Sequence, residues 1–115
     1  ESQINRVFNN LIINSMHAIE AKFNKKPGGK IYIDCSVEGK YLKIKIFDNG
    51  PGLDHKEEEL LKPYFSTKDK NVGTGLGLNI VEKIISEHGG NFHIYNIDGK
   101  AGACSEFTLR MHNEL

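Results

Sequence analysis

A strand that runs into a glycine-rich turn is encoded by residues 42–52, LKIKIFDNGPG. Side chains alternate between the two faces of a strand. One face of this strand therefore carries Leu42, Ile44, Ile46 and Asp48. A carboxylate on an apolar face costs free energy unless a partner satisfies it. The alternation thus predicts that Asp48 is buried, and it makes Asp48 the first candidate for a binding residue.

Two interpretations of the turn remain open from these residues. In the first, Asn49 and Gly50 form a β-hairpin turn, for which Asn-Gly is a strong signal. In the second, the turn borders a ligand, because no strand pattern follows it and because Gly50 and Gly52 allow a close approach of the backbone. Asp54 and Glu57 have the spacing of a capping box, which predicts a short helix after the turn.

The periodicity of the remaining chain predicts two longer helices and two hairpins. Apolar residues at helical spacing predict helices over residues 3–22 and 76–88. The strand that precedes Gly39 has one face that carries Ile31, Ile33, Cys35 and Val37. Further strands are predicted over residues 91–97 and 104–112. This order predicts an α/β (α+β) two-layer sandwich, with helices packed on one face of a mixed, largely antiparallel sheet.

Length and composition limit the class of protein. A chain of 115 residues suits a single domain, which we expect to span residues 1–115. Fifteen basic and fifteen acidic residues cancel, so no basic footprint indicates nucleic acid. Cys35 and Cys104 are too few for a disulfide framework and indicate a reducing, cytoplasmic location. No apolar run has the length of a membrane span, so we expect no direct membrane contact by this domain.

Two asparagines lie one helical turn apart in the first predicted helix. Asn10 and Asn14 therefore share a helix face. A solvated surface would accommodate them, although asparagine is a poor helix former. Apart from its asparagines, the stretch of this helix over residues 7–14 is apolar, which instead favours a polar site at this face.

The glycine-rich stretch GTGLGL, residues 73–78, is not a dinucleotide-binding fingerprint. That motif requires glycine where Leu78 stands, and a strand before the loop. The spacing of a P-loop is also absent. A flexible loop that ends at a helix N-terminus nevertheless favours phosphate binding, because free N–H groups and the helix dipole attract an anion.

Four motifs, in this order, resemble the nucleotide-binding boxes of one protein family. They are NLIIN (residues 10–14), DNGPG (48–52), PYFSTK (63–68) and GTGLGL (73–78). They resemble the N box, first glycine box, F box and second glycine box of the catalytic, ATP-binding domain of sensor histidine kinases. This domain belongs to the GHKL superfamily, whose other branches include gyrase and MutL. The resemblance spans nearly the whole chain, implies a Bergerat-type fold and is greatest to sensors of the nitrogen-regulation type.

The resemblance also implies roles for individual residues. Asp48 would accept a hydrogen bond from the exocyclic amine of adenine, and Asn14 would supply an oxygen to Mg²⁺. Asn10 stands where the hydrolysing branches of the superfamily have a glutamate as general base, so Asn10 and Asn14 are the candidate catalytic residues. The candidate residues for ATP binding are Asn14, His17, Asp48, Gly50, Gly52, Phe65, Thr67, Lys68, Gly73, Thr74, Gly75, Leu76 and Gly77.

Some positions depart from the family pattern. Ser15 replaces the usual alanine, and Lys62 stands where relatives often have glutamate. The family has a strand before the N box that this sequence lacks, and the chain begins abruptly at Glu1, which is typical of a piece of a longer kinase.

The function implied is transfer of the γ-phosphate of Mg·ATP to a histidine on a separate dimerisation and phosphoacceptor domain. A response regulator would act downstream. None of the five histidines lies in a segment that resembles the acceptor. Two alternatives remain open: a stand-alone serine kinase of the anti-sigma-factor type, and a nucleotide-sensing module without catalysis.

Overall fold

The structure is a computed structural model that describes residues 2–54, 56–62 and 77–111. The predicted F box and residues 73–76 of the second glycine box lie outside this range, as does His112. The elements in chain order are α1 (Ser2–Phe23), β1 (Ile31–Glu38), β2 (Tyr41–Asp48), α2 (Glu57–Leu60), α3 (Leu78–Glu87), β3 (Phe92–Asn96) and β4 (Ala103–Arg110). No helix in these three ranges is long and apolar enough to cross a membrane.

The strands form one sheet in the order β1-β2-β4-β3. All three neighbouring pairs in the described part of the chain are antiparallel. Helix α1 packs against β2 and α3, and α3 also contacts β3 and β4. The predicted two-layer α/β sandwich with a largely antiparallel sheet is confirmed.

The apolar core lies between this sheet and the two long helices. Val7 and Leu11 of α1 are fully buried, as is Ile85 of α3. The sheet contributes a row in register, in which Ile44 pairs with Phe107 and Phe107 pairs with Phe92. The buried members of the core are Val7, Leu11, Ile44, Ile46, Val81, Ile84, Ile85, Phe92, Ile94 and Phe107. Burial of this apolar surface is the main force that joins the two layers.

Strand β1 departs from the core that its alternation suggested. Of the four apolar residues on its inner face, only Ile31 is partly buried, while Ile33 remains 54% and Val37 62% exposed. The helices pack over β2, β4 and β3 instead. Alternation predicts which side chains share a face, but it contains no information on whether a second layer covers that face.

The outer face of the sheet carries a network of charged and polar side chains. Lys43 Nζ lies 3.1 Å from Glu38 Oε1 and 3.6 Å from Glu106 Oε2. The Tyr95 hydroxyl donates to Glu106 Oε1 at 2.7 Å. Burial opposes ionisation of Glu106, but this hydroxyl and the ammonium groups of Lys43 and Lys45 outweigh it and lower the carboxyl pKa.

Candidate nucleotide-binding site

Asp48 ends β2 with its side chain buried, as the alternation predicted. It is only 8% exposed and pairs with Ile31 on one side and with Ala103 on the other. The Gly50 backbone N–H donates to its Oδ1 atom at 2.9 Å. Within the described residues, no hydrogen bond reaches Asp48 Oδ2, so this oxygen can accept one from a ligand. The hairpin interpretation is wrong, because the neighbours of β2 in the sheet are β1 and β4, and the next described element after Asp48 is the helix α2.

The chain after Asp48, residues 49–53, is called the glycine loop below, and it is closely packed on both sides. A Cβ atom built on Gly50 would lie 2.9 Å from Ala18 Cβ in α1. On the other side, a Cβ on Gly102 would lie 1.9 Å from the Asp48 carbonyl oxygen, which leaves no room for a side chain. Sequence reasoning missed Gly102, because in the sequence it does not differ from Gly99 in the same turn, whose Cβ would meet nothing within 4 Å.

The Asn49 side chain forms hydrogen bonds with the loop that precedes β1. Its Oδ1 accepts the Lys30 backbone N–H at 2.8 Å, and its Nδ2 donates to the Gly28 carbonyl at 2.9 Å. Lys22 at the end of α1 donates to the Asn49 carbonyl at 3.3 Å. One asparagine thus ties together the ends of α1, β1 and β2, a role that the DNGPG motif did not indicate.

The candidate residues of α1 lie on the helix side that leads to Gly50. Asn10, Asn14 and Ala18 follow one another at four-residue spacing, so each lies about 6 Å along the helix axis from the next. Because Ala18 contacts Gly50, this row ends beside Asp48. The fold therefore brings the first two motifs, 38 residues apart between Asn10 and Asp48, to one place.

Asn10 is buried without a complete set of hydrogen bonds. It is 2% exposed, and its Nδ2 has no partner within the described part of the chain. A buried donor without an acceptor costs about 1–3 kcal/mol. Asn14 and His17 are half-buried. An acceptor supplied by a ligand would satisfy Asn10, which favours a binding site at this face of α1.

Gly77 and Leu78 are the two residues of the second glycine box that the structure describes. Gly77 is the N-cap of α3, and its carbonyl accepts the Ile80 N–H at 3.0 Å. Among the described residues, no side chain caps this end, so the first N–H groups of α3 can bind a ligand. Phe65, Thr67, Lys68, Gly73, Thr74, Gly75 and Leu76 lie outside the described residues, so their predicted contacts stay predictions.

The short helix α2 does not begin with the predicted capping box. Its N-cap is Lys56, without a side-chain bond. The Glu57 carboxylate instead accepts the Ile94 N–H at 3.3 Å, and its Oε2 lies 3.0 Å from His93 Nδ1. In the described part of the chain, β3 is at the edge of the sheet, so its outward N–H groups face no neighbouring strand there and can bind this carboxylate.

Comparisons with known proteins match this chain to one protein family. The family model described as histidine kinase-, DNA gyrase B-, and HSP90-like ATPase matches residues 1–113. The nitrogen regulation protein NtrY of Azorhizobium caulinodans is 38% identical over 109 residues, and the sensor histidine kinase ZraS of Escherichia coli K12 is 34% identical over 108. Each match covers 93% of this chain but only 14% of NtrY and 21% of ZraS.

Solved structures agree with the sequence relatives. The catalytic domain of histidine kinase ThkA superposes with a TM-score of 0.77 at 31% identity, which covers 95% of this chain and 66% of that one. The mycobacterial sensor histidine kinase MprB, at 24% identity and a TM-score of 0.76, shares the fold. The chain therefore belongs to the family of histidine kinase-, DNA gyrase B- and HSP90-like ATPases.

Proposed function

We propose that this chain is the catalytic ATP-binding domain of a two-component sensor kinase. It binds Mg·ATP and presents the γ-phosphate to a histidine on a separate dimerisation domain, and a response regulator acts downstream. The observation that carries the proposal is the contact of Ala18 with Gly50, because it joins the asparagine row of α1 to the buried Asp48. ZraS is named a sensor histidine kinase and ThkA a histidine kinase, which favours this function over a serine kinase or a nucleotide-sensing module.

Asp48 is proposed to recognise the base. The exocyclic amine of adenine is a hydrogen-bond donor, and the Asp48 carboxylate is a buried acceptor with Oδ2 available. A hydrogen bond to a charged group contributes about 1.5–3 kcal/mol. Gly50 and Gly52 allow the backbone to pass beside the base without a side chain in the way.

Asn10 and Asn14 are proposed to act at the phosphates. Asn14 would hold Mg²⁺ through its side-chain oxygen, a ligand type that suits this ion, and the ion would neutralise charge on the triphosphate. The orphaned Asn10 amide would donate to a phosphate oxygen. An amide cannot take a proton from water, so Asn10 favours transfer to a protein over hydrolysis.

The remaining residues are proposed to orient the triphosphate. His17, half-buried on α1, and the free N–H groups after Gly77 would attract negative charge. The resemblance adds Phe65, Thr67, Lys68 and residues 73–76 to this set. Catalysis of this kind depends mainly on positioning and charge stabilisation rather than on a covalent intermediate.

The proposal is tested by adding the dimerisation domain that carries the phosphate-accepting histidine. The isolated chain should bind Mg·ATP but should not label itself with radioactive phosphate, and a separately supplied dimerisation domain of the parent kinase should become labelled on histidine. Asn14→Ala should abolish this transfer while metal-free ADP binding survives. The matched control is Asn9→Ala, an exposed asparagine on the same helix, which should transfer normally.

Two results would contradict the proposal. Stoichiometric labelling of His17, His55, His88, His93 or His112 in the isolated chain would show that the acceptor is not elsewhere. Transfer by Asn14→Ala at the parental rate would remove Asn14 from the metal site.

A further inference from the structure

We infer that Asn96 is a positioning residue that holds the glycine loop in its nucleotide-binding shape. This deepens the proposed function and rests on it. Asn96 is the last residue of β3, at the edge of the sheet. Its Oδ1 accepts the Leu53 backbone N–H at 2.7 Å, and its Nδ2 donates to the Leu53 carbonyl at 3.4 Å. One side chain therefore pairs both backbone polar groups of Leu53, as a neighbouring strand would.

The register of the sheet explains why this position reaches the loop. Asn96 pairs with Ala103, and Ala103 pairs with Asp48, so the three residues form one row across β3, β4 and β2. Two strand spacings, or about 10 Å, separate Asn96 from Asp48. The glycine loop leaves β2 at Asp48, passes Gly102 and is tied at Leu53 to Asn96. Both ends of the loop are thus attached to the same end of the sheet.

Gly52 and Asn96 fit each other closely. Gly52 has a φ of +91°, and a Cβ atom there would lie 2.8 Å from Asn96 Oδ1. The glycine therefore permits the approach that the Leu53 hydrogen bond requires. Through its hydrogen bonds to Leu53, Asn96 in turn stabilises the backbone conformation of Gly52, which few residues other than glycine adopt.

The consequence for binding follows from preorganisation. With Leu53 hydrogen-bonded to Asn96, the glycine loop has few conformations in the free protein and loses little conformational entropy when a nucleotide binds. Without this bond, the loop would lose more entropy on binding. Within the described residues, Asn96 forms its side-chain hydrogen bonds with Leu53 and not with the asparagine row of α1. Its loss should therefore weaken nucleotide binding and leave the rate of transfer from bound ATP nearly unchanged.

The test compares three variants with the parent chain. Asn96→Ala removes both hydrogen bonds to Leu53 and should weaken ADP binding about tenfold. In phosphotransfer to the supplied dimerisation domain, it should raise KM for ATP by a similar factor while kcat changes less than about twofold. Amide exchange of the Leu53 N–H, followed by NMR, should accelerate. Asn96→Asp keeps the acceptor for this N–H, so it should bind ADP more tightly than Asn96→Ala and restore protection at Leu53.

The matched control is Asn91→Ala, an exposed asparagine just before the other end of β3. It should leave ADP affinity and Leu53 exchange at parental values. The inference is overturned if Asn96→Ala binds ADP like the parent, if Asn96→Asp binds no better than Asn96→Ala, or if kcat falls as much as KM rises. A parent chain that binds no adenine nucleotide would instead refute the proposed function, and the inference with it.

Discussion

Gly50 lies directly against the backbone of Ala18. A Cβ atom at Gly50 would be 2.9 Å from Ala18 Cβ, 3.0 Å from its carbonyl carbon and 3.1 Å from its carbonyl oxygen. The contact joins α1 to the glycine loop without an intervening side chain. Because both partners are backbone or nearly so, the distance between the asparagine row and Asp48 is set by rigid groups.

We expect Gly50→Ala to destabilise the domain and weaken ADP binding. The helix backbone cannot move aside for the new methyl group, and overpacking of this kind costs about 1–3 kcal/mol. Urea denaturation and calorimetric titration with ADP measure the two effects. Gly39→Ala is the control, because Gly39 has a φ of +63° but open space around it, so ADP affinity should stay unchanged. Parental ADP affinity in Gly50→Ala would refute the importance of this contact.

Asn10→Leu should stabilise the nucleotide-free domain. Leucine has a similar size and removes the buried Nδ2 donor that lacks a partner in the described residues, so the free energy of unfolding should rise by about 1–3 kcal/mol. Phosphotransfer to the dimerisation domain should fall at the same time. Ser15 is buried on the same helix, and Ser15→Ala is the control. It should change both the free energy of unfolding and the phosphotransfer rate less than Asn10→Leu does. A less stable Asn10→Leu would mean that the amide is satisfied in the free protein.

Base selectivity should depend on Asp48. Guanine places a carbonyl oxygen where adenine has its amine, so ADP should bind more tightly than GDP by about 1.5–3 kcal/mol, or roughly ten- to a hundredfold. Asp48→Asn should weaken ADP binding and narrow this difference, whereas the exposed Asp34→Asn should not. Calorimetric titration of both nucleotides measures it. Equal affinities in the parent chain would remove Asp48 from base recognition.

The two cysteines should differ in reactivity. Burial raises the pKa of the Cys104 thiol, and the side chain has no exposed surface, whereas Cys35 is exposed. Because the thiolate is the nucleophile, iodoacetamide should modify Cys35 in the folded protein and Cys104 only after unfolding. Mass spectrometry of Cys35→Ser and Cys104→Ser separates the two sites. Rapid modification of Cys104 in the native protein would contradict its burial.

The raised pKa of the Cys104 thiol also predicts how the free energy of unfolding changes with pH. Folding favours the neutral thiol of Cys104, so its contribution is fully present below the pKa of the unfolded thiol. That contribution is lost as the pH rises through the higher pKa of the folded state. Cys104→Ser should therefore reduce the loss of stability at alkaline pH, and urea midpoints across that range would reveal it. An unchanged pH dependence would show that another group titrates there.

Local periodicity was sufficient for the parts of the site that depend on one element. Strand alternation predicted the burial of Asp48, and helical spacing placed Asn10 and Asn14 on one face. Both follow from the direction of each side chain relative to its own backbone, which a short stretch of residues determines. The order of helices and strands was likewise enough to predict two layers.

Only the tertiary structure decided which distant segments meet. The pairing of Asn96 with Leu53 joins residues 43 positions apart, and the contact of Gly102 with Asp48 depends on the register of β2 and β4. The exposure of Ile33 and Val37 depends on where the helices pack. None of these has a local signal, because an asparagine in a strand or a glycine in a turn looks the same in the sequence whatever lies opposite it. The sequence by itself determined the elements and their polar candidates, and packing between elements decided which residues shape the site.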